Sequence, residues 1–384
     1  MRVFEFEENY NNELVQYLKM CVIGPMRPPT RLASAAPAHL ASLEPSAWRP
    51  AATAHRDRML ELVHGSLAAN GELQQHDPSH PIFNFIFDYY SFDRKMLLRW
   101  SPGPHALVRR ARQGRGSARE PLIWQGRGWR QTAEGGWYDA CETTQPSARR
   151  SMRQTAEILR RSAGRAPHLN CYGMHEWAML YEPAGAPAMV RHQKLPLRLA
   201  QGELNGVVES TPLACTHFDA FRFFAPAAAP LNEPQPTLAR QAELEQPGCV
   251  HSTMDLFRHA LRLFPYLPAE LLADTLELAV AARVLDMRAS PYDLSGVDAP
   301  GFDLRAVRVE TAHGRKEYQR MQAAVARRAA PLRLRLLRYY DDAIARWDEA
   351  EEHELEQCEP TVATSSSSSS AAGAHGAVPV AAGA

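Results

Sequence analysis

Three short passages of this chain set a cysteine two to four residues before a histidine, with an acid close behind. They are CYGMHEWAM from Cys171, CTHFDAFRFF from Cys215 and CVHSTMDLF from Cys249. Imidazole titrates near neutral pH, and a neighbouring carboxylate can orient the ring and hold its charge. His175, Glu176, His217, Asp219, His251 and Asp255 are therefore the candidate catalytic groups of an acid–base pocket. Arg191, His192, Arg222 and Arg288 are candidate binders of an anionic substrate. The passages also admit zinc, which accepts thiolate and imidazole; its candidate ligands are Cys171, His175, Cys215, His217, Cys249 and His251. None of them has CxxC spacing, and cysteines beside aromatic residues commonly serve as small core residues. Each passage adjoins an apolar segment (WAML, FDAFRFF, MDLF). Packing those segments together would bring their polar edges to one cavity, so the three histidines are expected within about 12 Å of one another.

The elements that must position these groups are mainly helical. A helix is expected over about 54–68, with Met59, Leu60, Val63 and Leu67 on one side, and a buried aromatic helix over 80–92. Further helices are expected at 147–160 and 175–180. Met254, Phe257, Leu261 and Phe264 mark one from 252, capped by Ser252 or Thr253, and Pro268 opens another. Pro331 divides a final pair at 315–329 and 332–357. Strand signals are weak and fall at 189–199, 206–209 and 306–310. The Arg/Gly-rich stretch 105–145 reads as short strands or an ordered loop. The fold class is thus a predominantly α-helical globular domain over 53–357 with a few short strands. Around it lie a short N-terminal element at 1–20, a Pro/Ala/Ser-rich disordered linker at 21–52, and a serine-rich disordered tail at 358–384.

Lysine plus arginine and aspartate plus glutamate both total 43, so net charge excludes no partner. Its distribution is uneven. Residues 94–165 carry fifteen Arg and one Lys against five acids, while 341–359 carry nine acids against one Arg. The excess fits either a nucleic-acid surface, aided by Trp124, Trp129, Trp137 and Tyr138 among the arginines, or two internally matched surfaces. Six scattered cysteines, an acidic N-terminus and no long apolar run point to an intracellular protein, cytoplasmic or organellar and not secreted, with no membrane span. Walker A, GxGxxG, HExxH and GxSxG motifs are absent.

The segments HPIFNFIFDYYSFDRKMLLRWSPG, LNCYGMHEWAMLY, VRHQKLPLRL, CTHFDAFRFFAPAAAPLN, EQPGCVHSTMDLFRHALRL and LDMRASPYDLS are similar, in this order, to an uncharacterised family of actinobacteria, plants and algae. Its members often carry the name 3-methyladenine DNA glycosylase. The resemblance runs from about His80 to about Arg335 and implies base excision as one expected activity. The residues themselves favour an enzyme or small-ligand binder acting on a polar or anionic molecule by hydrolytic or lyase-type acid–base chemistry. A non-catalytic interaction protein is the third reading.

Overall fold

The computed structural model describes residues 35–62, 80–83, 96–110, 123–126, 128–139, 146–184, 195–299 and 301–358. Strand β1 (Ala41–Leu43) leads into helix α1 (Pro45–Leu62). Three further strands follow, β2 (Ala106–Arg109), β3 (Trp129–Gln131) and β4 (Gly135–Tyr138). The helices α2 (Pro146–Ala163), α3 (Met174–Met179), α4 (Gln201–Ser210), α5 (Phe218–Phe221) and α6 (Gln241–Leu244) come next. The chain then builds α7 (Val250–Leu263), α8 (Ala269–Ala289) and the 47-residue α9 (Ala312–Cys358). The domain is mostly helical with one small sheet, as its sequence pattern leads one to expect.

Helix α8 is the centre. Its buried residues run from Ala269 to Ala289 on nearly every side, the signature of a helix surrounded by protein. Helix α7 packs along it, and α9 lies across α2, α7 and α8. Helix α9 does not break at Pro331, contrary to expectation. The Pro331 ring sits on the exposed face, where the freed carbonyl one turn back reaches water, while Ala329, Arg333, Leu336, Tyr340, Ala343 and Trp347 keep the inner face in the core.

Several other expectations are corrected. The first helix begins at Pro45, inside the stretch read as linker, because Trp48, Ala52, His55 and Met59 form a buried stripe at three- and four-residue spacing. The Trp48 indole N–H donates to the Arg109 carbonyl at 3.0 Å, tying α1 to β2. Residues 206–209 are helical, and the Ala200 N–H donates to the Glu203 carboxylate at that helix's start. Residues 306–310 form no strand. Neither Ser252 nor Thr253 caps α7: Cys249 occupies the N-cap position without a side-chain cap. The tails before 35 and after 358, the rest of the aromatic segment beyond Phe83, Val63 to Leu67, and the strand signal at 189–194 lie outside the described residues.

The stretch 105–145 supplies most of the sheet. The order is β1-β2-β4-β3, with β1 parallel to β2 and the other pairs antiparallel. Trp124, Trp129, Trp137 and Tyr138 are all buried, so none of these rings offers a face on which a base could stack. Gly136 has a packing reason: a Cβ there would lie 2.1 Å from a ring carbon of Trp129. Gly136→Ala should therefore cost about 1–3 kcal/mol through overpacking, read from the urea midpoint; an unchanged midpoint would mean that the Trp129 ring moves aside freely.

Part of the uneven charge is matched internally. On α2, Arg160 binds Asp341 at 2.6 Å, Arg153 binds Asp348 and Arg149 binds Glu351, each partner lying on α9. Such partly exposed pairs are worth little individually, but they occupy three of the arginines that suggested an anionic partner. No helix among the described residues is long and apolar enough to cross a membrane.

Candidate functional site

The three histidines meet. The rings of His175 and His251 are 4.5 Å apart, edge to face, and those of His217 and His251 are stacked at 5.3 Å. Each comes from a different local device. The chain enters α3 through Tyr172 and Gly173, both left-handed at φ 49° and 71°. Gly173 suits this turn, whereas a β-carbon-bearing Tyr there is uncommon and strained. This turn swings His175 inward, and the Trp177 indole fixes α3 by donating to the Ala289 carbonyl at 2.9 Å. The segment before His217 is clamped by Asn232, whose side chain accepts from the Cys215 N–H at 2.8 Å and donates to its carbonyl at 2.9 Å. His251 lies in the first turn of α7.

Two sets of three possible ligand atoms result, each set lying within 4.8 Å of one another. The first is His175, His251 and Asp286; the second is His217, Glu245 and Asp255. Both are compatible in geometry with holding a cation, and both are compatible with acid–base work. In the first, His175 Nε2 lies 2.8 Å from Asp286 Oδ1, and Asp286 Oδ2 accepts from Arg283 at 2.8 Å. Arg283 also holds Glu176 at 3.2 Å and donates to the Pro81 carbonyl. In the second, His217 has Glu245 3.7 Å from Nδ1 and Asp255 3.7 Å from Nε2, both beyond hydrogen-bond length. Arg258 binds Asp255 and also Asp219, at 2.8 Å for the latter.

Electrostatically the neighbours diverge. Burial alone would lower the His175 pKa, but the Asp286 carboxylate outweighs it and the pKa is raised. For Asp286, burial pushes upward and the charge of His175 more than reverses it, leaving the carboxyl well below its usual range. His251 is held well below its ordinary value, first by burial and then by His175. Burial raises Asp255.

A narrow crevice opens onto this centre. It encloses about 370 Å³, its open mouth included, and is wide enough for about one water-sized particle. His175, His251, Cys171, Cys215 and Cys249 line it, beside Met174 and Phe224. The thiols are free, and none belongs to either trio, so the Cys/His ligand set expected from spacing becomes a His/carboxylate set. Burial drives the thiols away from ionisation, pushing Cys215 up to about 12 and Cys249 well above its usual value. The native protein should therefore resist thiol labelling at Cys215 and Cys249 at neutral pH and react fully only when unfolded. Rapid labelling of either in the folded state, mapped by mass spectrometry, would contradict this.

The remaining nominated residues separate. Glu176 is buried behind His175 on Arg283. Asp219 faces Arg258 and Arg222 and does not line the crevice. Arg222 lies over the Phe223 ring at 3.9 Å. Arg288 donates to the Arg305 carbonyl at 2.8 Å and faces Asp303, so it tethers a loop. Arg191 and His192 lie outside the described residues. The spacing of the sequence missed Asp286, Arg283 and Glu245. The first two had a signal, two charges three apart in the apolar run of α8, which burial requires to be paired.

The fold and site thus define a mainly helical chain with a buried histidine–carboxylate centre beneath a small crevice. No protein-family model matches the chain, and neither a curated protein nor a solved structure is significantly similar to it.

Proposed function

We propose that the chain is an enzyme that carries out hydrolysis or elimination on a small polar or anionic substrate at the crevice lined by His175 and His251. The carrying observation is that three imidazoles and three acids, Asp286, Glu245 and Asp255, brought from α3, α7, α8 and the segments at His217 and Glu245, form two adjoining trios. Charged groups cost so much to bury that a cluster of them within a core needs either mutual pairing or a task. His251, half-buried in the crevice wall, is the group placed to meet the reacting end of a substrate; His175 and Asp286 stand directly behind it. The crevice's width favours entry of a terminal group over engulfment of a whole drug-sized ligand. Zinc is the cofactor this reading admits.

DNA base excision is the second reading, carried by the ordered motifs between His80 and Arg335. The pairing of Arg149, Arg153 and Arg160 with α9 leaves less support for it. One panel separates the two: p-nitrophenyl esters and phosphates in one arm, and alkylated duplex DNA scored for free base in the other. Turnover in the first arm that is lost in His251→Ala supports the leading reading. Base release supports the second, and a wholly blank panel removes the enzymatic proposal.

A further inference from the structure

We propose that His175 Nε2, a ring nitrogen of His251 and Asp286 Oδ1 bind one divalent first-row transition-metal ion, and that the His217–Glu245–Asp255 trio does not. The inference deepens the reading of the crevice as a working site and rests on it. Four observations carry it.

The first is the relation between His175 and Asp286. Their facing atoms are 2.8 Å apart, yet among the described residues neither atom has a hydrogen-bond partner that meets ordinary geometry. Both residues are almost wholly buried. A cation held between the two atoms, within reach of a His251 nitrogen as well, would satisfy both of these buried groups at once.

The second is charge. Arg283 is shared between Asp286 and Glu176, so among the described residues two buried carboxylates face this one guanidinium. A metal ion at His175 would take the place of a proton held there against Asp286. Around the other trio the acceptors are already engaged: Glu245 accepts from Ser252 at 3.1 Å and from Gln241 at 3.0 Å, and Asp255 is held by Arg258.

The third is the second shell. Asp286 Oδ2 is oriented by Arg283, leaving Oδ1 as its ligand atom, the kind of outer contact that metal-bound carboxylates use. The fourth is the crevice, whose water-sized width at His175 and His251 supplies the open position that catalytic metals keep. Two histidines and one carboxylate suit zinc or iron(II), and such an ion would acidify a water held there.

The test uses the full chain, stripped with a chelator and dialysed against excess Zn²⁺ or Co²⁺, with metal counted by mass spectrometry and Co²⁺ followed by its visible absorption. One ion per chain is expected. His251→Ala and Asp286→Asn should each weaken Co²⁺ binding about 100-fold, whereas His217→Ala and Glu245→Gln should keep the wild-type stoichiometry. Circular dichroism checks each fold; should Asp286→Asn fail to fold, the half-buried His251→Ala and the rise in melting temperature of the wild-type chain with Zn²⁺ decide. No retained ion, full affinity in His251→Ala, or loss confined to the His217 and Glu245 variants would overturn the assignment. Turnover that survives metal stripping in a chain that takes up no ion would remove the metal and leave the catalytic crevice. Stoichiometric metal without turnover on the panel would remove the catalytic reading and leave the metal.

Discussion

Arg283→Met should destabilise the chain by about 3–5 kcal/mol, the cost of breaking a buried ion pair by removing one partner. Arg283 lies within α8 with its head against Glu176 and Asp286 and its Nε on the Pro81 carbonyl. Methionine matches much of the alkyl stem, so little of the loss would come from packing. It would come from two carboxylates left in the interior, which must either protonate or draw in water. Urea unfolding with a chelator present isolates this effect from any bound ion. A loss below about 1 kcal/mol, the range of a surface pair, would mean that Glu176 and Asp286 are not the buried anions described above.

His251→Ala should do the opposite: a small change in stability and a fall in turnover of at least about 10², whether the ring moves a proton itself or holds an ion that does the chemistry. His251 is the half-buried member of its trio, and it touches both other rings, so its loss opens the centre without stripping a deep core contact. Phe224→Ala is the control, because that ring is buried and also borders the crevice. It should lower stability by about 3–5 kcal/mol while the surviving folded fraction retains the His–carboxylate chemistry. Should both variants lose activity only in proportion to lost fold, the centre is structural. Steady-state rates normalised to folded protein make the comparison.

The contrast between the two variants follows what the sequence could and could not disclose. The repeated cysteine–histidine–acid association marked His175, His217 and His251 because each stands at the edge of an apolar face, and faces that pack bring their edges together. Asp286 and Glu245 repeat no such pattern. Asp286 sits in the last turn of α8, where only the need to pair a buried charge makes it conspicuous, and Glu245 lies in a short polar segment just after α6. The cysteines stand apart because their spacing to histidine resembles a ligand set, while burial pushes the thiols away from ionisation and neither His/carboxylate trio among the described residues includes one. Helix period was legible wherever apolar spacing was regular, as in α7. It failed at Pro331, where local propensity gave way to packing along α9, and at 206–209, where a four-residue window held too little pattern to separate strand from helix. The charge asymmetry was equally visible from the start. Choosing between a binding surface and an internal match required knowing that α2 lies against α9.

A diffraction structure of the zinc-loaded chain, with anomalous data collected at the zinc edge, tests the central assignment most directly. The expected result is one strong peak about 2.0–2.2 Å from His175 Nε2, a nitrogen of His251 and Asp286 Oδ1, with no peak between His217, Glu245 and Asp255. Peaks at the second trio alone, or the three imidazoles found apart with no shared crevice, would contradict it.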